Sequence, residues 1–130
     1  MIVLDASATI DWLLQTASGL HIERRIFSRS ETLHAPHLLD LEVAQAFSRL
    51  ASAGTISTDR AEDALRDLRS LRIARYPHFI FLNRIWQHRH NLSAYDAAYV
   101  VLAEKLGAPL VTRDRRLASA SNLSAIVELF

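Results

Sequence analysis

Four carboxylates, Asp5, Glu42, Asp96 and Asp114, stand in alanine-rich and aliphatic surroundings that offer an acid little structural employment. Asp5 closes the apolar run Ile2-Val3-Leu4, and Asp114 follows Leu110-Val111 with Thr112 between. Both are therefore predicted at the carboxyl ends of parallel strands, the edge of an open α/β sheet where ligands bind. Four acids gathered without a cation repel and raise one another's pKa values, whereas one or two divalent ions offset the charge. The expected metal is Mg2+, with Mn2+ acceptable, because these hard ions take carboxylate and water oxygens and need neither histidine nor cysteine. With a phosphodiester present, such an ion lowers the pKa of a coordinated water, polarises the phosphoryl oxygen and, as a pair, steadies attacking and leaving oxygens. Phosphodiester hydrolysis is the reaction class implied.

Each acid also has a bland explanation. Ser93-x-x-Asp96 has the form of a capping box, Asp114 suits the cap of a short helix containing Leu117, and Glu42 beside Leu41, Val43 and Ala44 could face solvent. Asp5 is harder to explain so, since a carboxylate ending a buried strand must be solvated in a cleft or paired. The four together outweigh the separate explanations.

The elements that must position them follow from periodicity. Ile2 to Leu4 reads as a buried strand, after which Ser7 caps a helix with Ile10, Leu13 and Leu14 on one face. Thr32 to Ala35 reads as a second strand stopped by Pro36, followed by a helix bearing Glu42 and the stripe Leu39, Val43, Ala46, Phe47 and Leu50 up to Gly54. Thr58 is placed as the cap of the next helix, whose apolar positions are Ala61, Leu65 and Leu68; Leu71 either extends that stripe or begins a third strand, Leu71 to Ala74. A short helix over Phe79 to His88 has Leu82, Ile85 and Trp86 inward; Ser93 then opens a helix from Ala94 to Leu106 that is apolar too broadly for a surface element. Leu110 to Thr112 and Ala125 to Leu129 supply the last strands, the latter at an edge. Strands separated by helices imply a three-layer α/β/α fold around a mainly parallel, twisted sheet of four to five strands.

With 130 residues, 50% of them hydrophobic, the chain is read as one domain, residues 1–130. The absence of cysteine excludes a disulfide scaffold and thiolate metal sites. No apolar run approaches the roughly 20 residues of a membrane span, and a strand-like sequence begins at once, so a cytoplasmic protein without a membrane partner is expected. Lys105 is the single lysine beside fourteen arginines, and arginine suits phosphate and carboxylate partners. Arg66, Arg69, Arg72 and Arg75, interleaved with acids, read as solvated helix faces, whereas Arg84, Arg89, Arg113 and Arg115 are candidate phosphate contacts. Arg116 also falls near the later acids. Trp12, Trp86, Tyr95 and Tyr99 at helical spacing read as packing or dimer contacts, and no histidine is chosen as a metal ligand.

Val3-Leu4-Asp5-Ala6-Ser7, the helix with Glu42, the run Leu92-Ser93-Ala94-Tyr95-Asp96-Ala97-Ala98-Tyr99, and Leu110-Val111-Thr112-Arg113-Asp114-Arg115-Arg116-Leu117 resemble, in order, the PIN-domain ribonucleases, specifically VapC toxins. The resemblance implies a magnesium-dependent endoribonuclease of a type II toxin-antitoxin system. Asp5, Glu42, Asp96 and Asp114 would be its catalytic and metal-binding acids, with Ser7 and Thr112 orienting them. It further implies an RNA substrate, a homodimer, and a VapB-type antitoxin whose C-terminal segment reaches the acidic pocket, in a heterotetramer or larger assembly. Some PIN domains carry another acid two or three residues after the last; Arg116 and Leu117 stand there, which bears on a second metal. Two rival readings have weaker support. A phosphotransfer hydrolase of haloacid dehalogenase type would want a second acid where Ser7 stands, and a silent RNA-binding or regulatory module would show damage to the acid set.

Overall fold

A computed structural model of residues 1–130 contains a single five-stranded sheet of β1 (Ile2–Leu4), β2 (Leu33–Pro36), β3 (Ile73–Tyr76), β4 (Leu110–Thr112) and β5 (Val127–Leu129). The spatial order is β3-β2-β1-β4-β5, and every pairing is parallel. The strands are joined by α1 (Ala6–Leu13), α2 (Ala17–Ser28), α3 (Leu38–Ser52), α4 (Thr58–Ser70), α5 (Leu82–Gln87), α6 (Ala94–Leu106) and α7 (Arg115–Ala118). The chain moves outward from β1 through β2 to β3, then returns to β4 on the other side of β1. With right-handed crossovers, α1 to α4 cover one face and α5 to α7 the other. The reversal falls between β1 and β4, so their carboxyl ends diverge into a crevice bounded by Asp5 and Thr112.

Core burial explains why the pattern was legible. β1 is buried at every residue, and α6 is buried without interruption from Ala97 to Ala103 because it lies across β1, β2 and β4. Ser93 caps it by accepting from Asp96 N, and Gly107, at φ 59°, ends it in the left-handed conformation. No helix is long and apolar enough to cross a membrane.

Several local expectations are corrected. The cap of α1 is Asp5, not Ser7, and the cap of α4 is Ser57, not Thr58; each true cap has extended backbone, and its side chain accepts from the amide three residues on. β2 includes Pro36, tolerated because it is the strand's last residue and His37 N supplies the next bond to Tyr76 O. β3 starts later than Leu71, which serves as the C-cap of α4. Phe79–Phe81 form a 3₁₀ turn before α5, which turns only Ile85 fully inward; Leu82 is 58% and Trp86 66% exposed. Arg66 pairs with Asp63 as a helical charge pair, but Arg75 lies on β3 and clamps Asp40 with two bonds of 2.7 and 2.9 Å. Helix α2 was not anticipated: its buried residues are only Gly19, Ile22 and Ile26, too narrow a stripe to stand out.

Candidate active site

Asp5 is the centre of the arrangement. As the residue leaving β1, it donates its backbone amide to Val111 O, while its carboxylate caps α1 through Ala8 N at 2.8 Å. The same Oδ1 accepts from Ser7 Oγ at 2.7 Å, and Oδ2 accepts from Thr112 Oγ1. Only 5% of Asp5 is exposed. Burial drives its pKa upward, opposed by the bonds from Ala8, Thr112 and Ser7 and assisted by the nearby charge of Asp114. Thr112 is the hinge between the two strand ends, since its Oγ1 also accepts from Asp114 N at 2.9 Å. Ser7 Oγ accepts in turn from Arg113 N at 2.9 Å. The two hydroxyls predicted to support the acids thus touch both sides of the crevice.

Asp114 serves two purposes. Its Oδ1 caps α7 by accepting from Arg116 N and Leu117 N at 2.8 and 3.2 Å, and its Oδ2 faces the Arg116 guanidinium. Arg116 Nη2 lies 3.2 Å from Asp96 Oδ2 and 3.5 Å from Asp114 Oδ2, so one exposed cation spans two of the four acids. Asp96 comes from the first turn of α6. Its bland explanation holds only in half: Ser93 accepts from its amide, but its own carboxylate goes to Arg116.

Glu42 is not a solvent-facing glutamate. It is partly buried on α3, accepts the Tyr99 hydroxyl at 2.8 Å, and has its pKa raised by burial, less the Tyr99 bond, with a further push from Asp96. Tyr99, 2% exposed, is buried as its reading as a packing residue expects, and its hydroxyl, which that reading did not place, reaches Glu42. Burial, followed by the neighbouring Glu42 charge, pushes its pKa far upward, with Asp5 and Asp96 also within electrostatic reach. The phenol therefore stays protonated and donates to Glu42 from beneath the acids. A signal existed, since Tyr99 lies three residues after Asp96 on the same helix face.

These mutual effects place the four acids in one neighbourhood, yet no three carboxylate or imidazole side chains stand close enough to enclose a metal ion. The reason is visible in their partners: Asp5 is held by hydroxyls and an amide, Glu42 by Tyr99, and Asp96 and Asp114 by Arg116. An all-oxygen donor set under mutual repulsion, already drawing a guanidinium, fits a hard divalent cation by chemistry rather than as a closed ligand shell. Replacing Thr112 by Val keeps the strand-like shape but removes the donor to Asp5 and the acceptor for Asp114 N. Titration with Mn2+ should show affinity lower by about 10- to 100-fold, the range for outer-shell partners of metal ligands; unchanged affinity would place Thr112 outside the site.

The four arginines nominated for phosphate are differently placed. Arg84 makes a two-bond clamp on Glu104 at 2.9 and 3.1 Å, eight residues beyond Asp96 and so about 12 Å along α6. Burial pushes the Glu104 pKa up, but the Arg84 bond, the Ser124 amide and the charges of Arg84 and His88 together bring it below its ordinary value. His88 is buried in the same cluster, Nε2 3.3 Å from Glu104 Oε1. Arg89 stacks over Trp86, 4.7 Å from the ring centroid. Arg113 bonds Asp11 at 2.6 Å and the Phe130 carbonyl, while Arg115, at the start of α7, is exposed. Arg113 and Arg115 flank Asp114; Arg84 does not share that crevice. Trp12 is buried edge-on against Phe27, as packing predicts, but Trp86 and Tyr95 are exposed.

A parallel α/β sheet with acids at its β1/β4 switch point is an open α/β fold of the kind that binds ligands at its strand carboxyl ends, and sequence comparison identifies the family. The PIN domain family matches residues 2–123, and the chain belongs to that family. Ribonuclease VapC9 of Mycobacterium tuberculosis is 44% identical over 117 residues, 90% of this chain and 88% of that protein. Ribonuclease VapC12 of the same species is 40% identical over 99% of this chain and 98% of its own. The crystal structure of PAE2754 from Pyrobaculum aerophilum superposes with a TM-score of 0.71 at 28% identity, covering 97% of this chain and 87% of that one.

Proposed function

We propose that this chain is a Mg2+-dependent endoribonuclease, the toxin of a type II toxin-antitoxin pair, with Mn2+ able to replace Mg2+. The observation that carries the reading is the gathering of Asp5, Glu42, Asp96 and Asp114 around the strand switch point, where Thr112 binds Asp5, Tyr99 binds Glu42 and Arg116 spans Asp96 and Asp114. Kinship with proteins named VapC ribonucleases supports RNA as the substrate and a VapB-type antitoxin as the partner.

When bound, a divalent cation lowers the pKa of a water and polarises a phosphoryl oxygen. The chain's own residues do the rest. Ser7 and Thr112 hold Asp5 in one rotamer, Tyr99 keeps Glu42 oriented, and Asp96 and Asp114 close the opposite side. Arg116 must release the two acids it spans for them to ligate, after which its exposed guanidinium is free to meet a phosphate. An antitoxin segment bringing a basic side chain to this crevice would compete for the same carboxylates. The homodimer and the heterotetramer or larger assembly belong to the same reading, as does a cytoplasmic location.

The test is cleavage of pooled RNA by the antitoxin-free chain, with Mg2+ or Mn2+ against a chelator, beside Asp96→Asn. Cleavage should require both the ion and Asp96, with the variant slower by about 100- to 1,000-fold, the loss typical of removing one preorganised electrostatic group. Intact RNA with folded, metal-loaded wild type would favour a binding role.

A further inference from the structure

The turn between β4 and α7 directs two protons. A hydroxyl has one proton to give and lone pairs with which to accept. Ser7 Oγ accepts from Arg113 N at 2.9 Å and gives its proton to Asp5 Oδ1 at 2.7 Å. Thr112 Oγ1 accepts from Asp114 N at 2.9 Å and gives its proton to Asp5 Oδ2. The two hydroxyl oxygens lie 3.3 Å apart, within reach of one another. An amide that leaves either oxygen frees a lone pair there, and that lone pair competes with Asp5 for the neighbouring hydroxyl's proton. The setting of the turn therefore decides whether both oxygens of the Asp5 carboxylate keep a side-chain donor.

The side chain of Arg113 holds the turn in place. Its Nε donates to Asp11 Oδ2 at 2.6 Å and its Nη1 to the Phe130 carbonyl, while Phe130 N donates to Thr112 O at 3.0 Å. One guanidinium thus ties the turn to α1, which carries Asp11, and to the residue that follows β5. Arg113 is the ion-pair partner of the Asp11 carboxylate. A carboxylate at this distance neutralises the charge that a phosphate contact would need, whereas it strengthens a clamp.

We propose that Asp11 and Arg113 are positioning residues of the acid site: their pair holds the turn so that Ser7 and Thr112 both give their protons to Asp5, and through Asp5 and Asp114 it sets the affinity for the divalent cation. Arg113 is then a residue of metal affinity, not a phosphate contact. The proposal rests on the metal-dependent nuclease reading.

The experiment titrates Mn2+ into the full chain, free of antitoxin. Wild type is compared with Asp5→Asn, Asp11→Asn, Asp11→Ala, Arg113→Ala, the double variant Asp11→Ala with Arg113→Ala, and Arg115→Ala. Both members of the pair are partly exposed, so the variants should fold, and thermal melts in chelator confirm it. Arg113→Ala should bind Mn2+ about tenfold more weakly, the lower end for a group that orients a metal ligand. Loss of a positive charge near an acidic site has the opposite effect by itself. Arg115→Ala, which removes the same charge two positions on without breaking the clamp, should bind Mn2+ as tightly as wild type or more so. Asp11→Ala should match Arg113→Ala, and the double variant should be no weaker than either, since all three break one clamp. Asp11→Asn keeps an oxygen for Arg113 Nε and should retain most of the wild-type affinity. Tighter Mn2+ binding by folded Arg113→Ala, additive losses in the double variant, or Asp11→Asn as weak as Asp11→Ala would overturn the proposal. RNA binding in chelator that weakens in Arg113→Ala and strengthens in Asp11→Ala would overturn it in favour of a phosphate contact. Mn2+ binding that needs Asp5 but ignores Asp11 and Arg113 sinks the clamp and spares the metal site; Mn2+ binding indifferent to Asp5→Asn sinks both.

Discussion

Asp5→Asn should lose RNA cleavage by on the order of a thousandfold or more, the upper end for one preorganised charged group, while the protein folds normally. Asparagine keeps an oxygen for the Ala8 amide and the Ser7 hydroxyl, so the α1 cap survives. What disappears is the charge. In chelator, at pH values where the wild-type Asp5 has ionised, the variant should melt higher than wild type, because a buried carboxylate near Asp114 no longer has to carry its charge.

The sign is checkable across pH. Burial raises the folded pKa of Asp5 above its unfolded value of about 3.9, so its contribution to stability is fully present below that value and fades as pH rises through the raised folded one. Glu42 titrates in the same sense, again through burial first. Metal-free wild type should therefore lose melting temperature as pH rises above the unfolded carboxylate range and through the raised folded values, and Asp5→Asn should lose less. Added Mg2+ should raise the wild-type melting temperature more than that of the variant. Equal pH slopes would show that Asp5 is solvated in the folded protein, and an active Asp5→Asn would remove it from the chemistry.

Gly19→Ala should be the most damaging single methyl addition in the chain. A Cβ at Gly19 would sit 2.0 Å from the Asp11 carbonyl oxygen and 2.9 Å from Trp12 N, both backbone atoms that cannot swing aside. Helix α2 would have to withdraw from α1, at about 3 kcal/mol, the upper part of the range for overpacking, or roughly 10 °C in melting temperature for a domain of this size. The displacement should reach the site, because Asp11 also holds Arg113 at 2.6 Å, and Arg113 N bonds Ser7. A melt within about 2 °C of wild type, half the usual shift for 1 kcal/mol, would mean that α1 and α2 separate freely.

That glycine marks a limit of the sequence. The contact between α1 and α2 joins residues whose local pattern carries no sign of it, since α2 has only three buried positions, Gly19, Ile22 and Ile26. Helix α6 was legible because its apolar breadth admits only central burial, and β1 and β4 because short aliphatic runs ending in an acid and in Thr-x-Asp have few other meanings. The boundaries that moved, at Ser57, Pro36 and Ile73, did so by one or two residues where cap geometry or strand pairing decided among neighbours of similar propensity.

The sequence by itself determined the fold class, the parallel sheet and which four acids are the candidate machinery, because residue type and position at the ends of apolar runs survive in one dimension; the two hydroxyls came from the family resemblance. Tertiary structure decided what each group touches. It put the Tyr99 hydroxyl on Glu42, made Thr112 a bridge between Asp5 and Asp114, set Arg116 across Asp96 and Asp114, and withdrew Arg84 to Glu104. These partnerships join residues up to 107 positions apart. Hydrogen bonds and ion pairs act over a few ångströms, and only the packing of α6 and α3 against the strand ends brings such groups within that range.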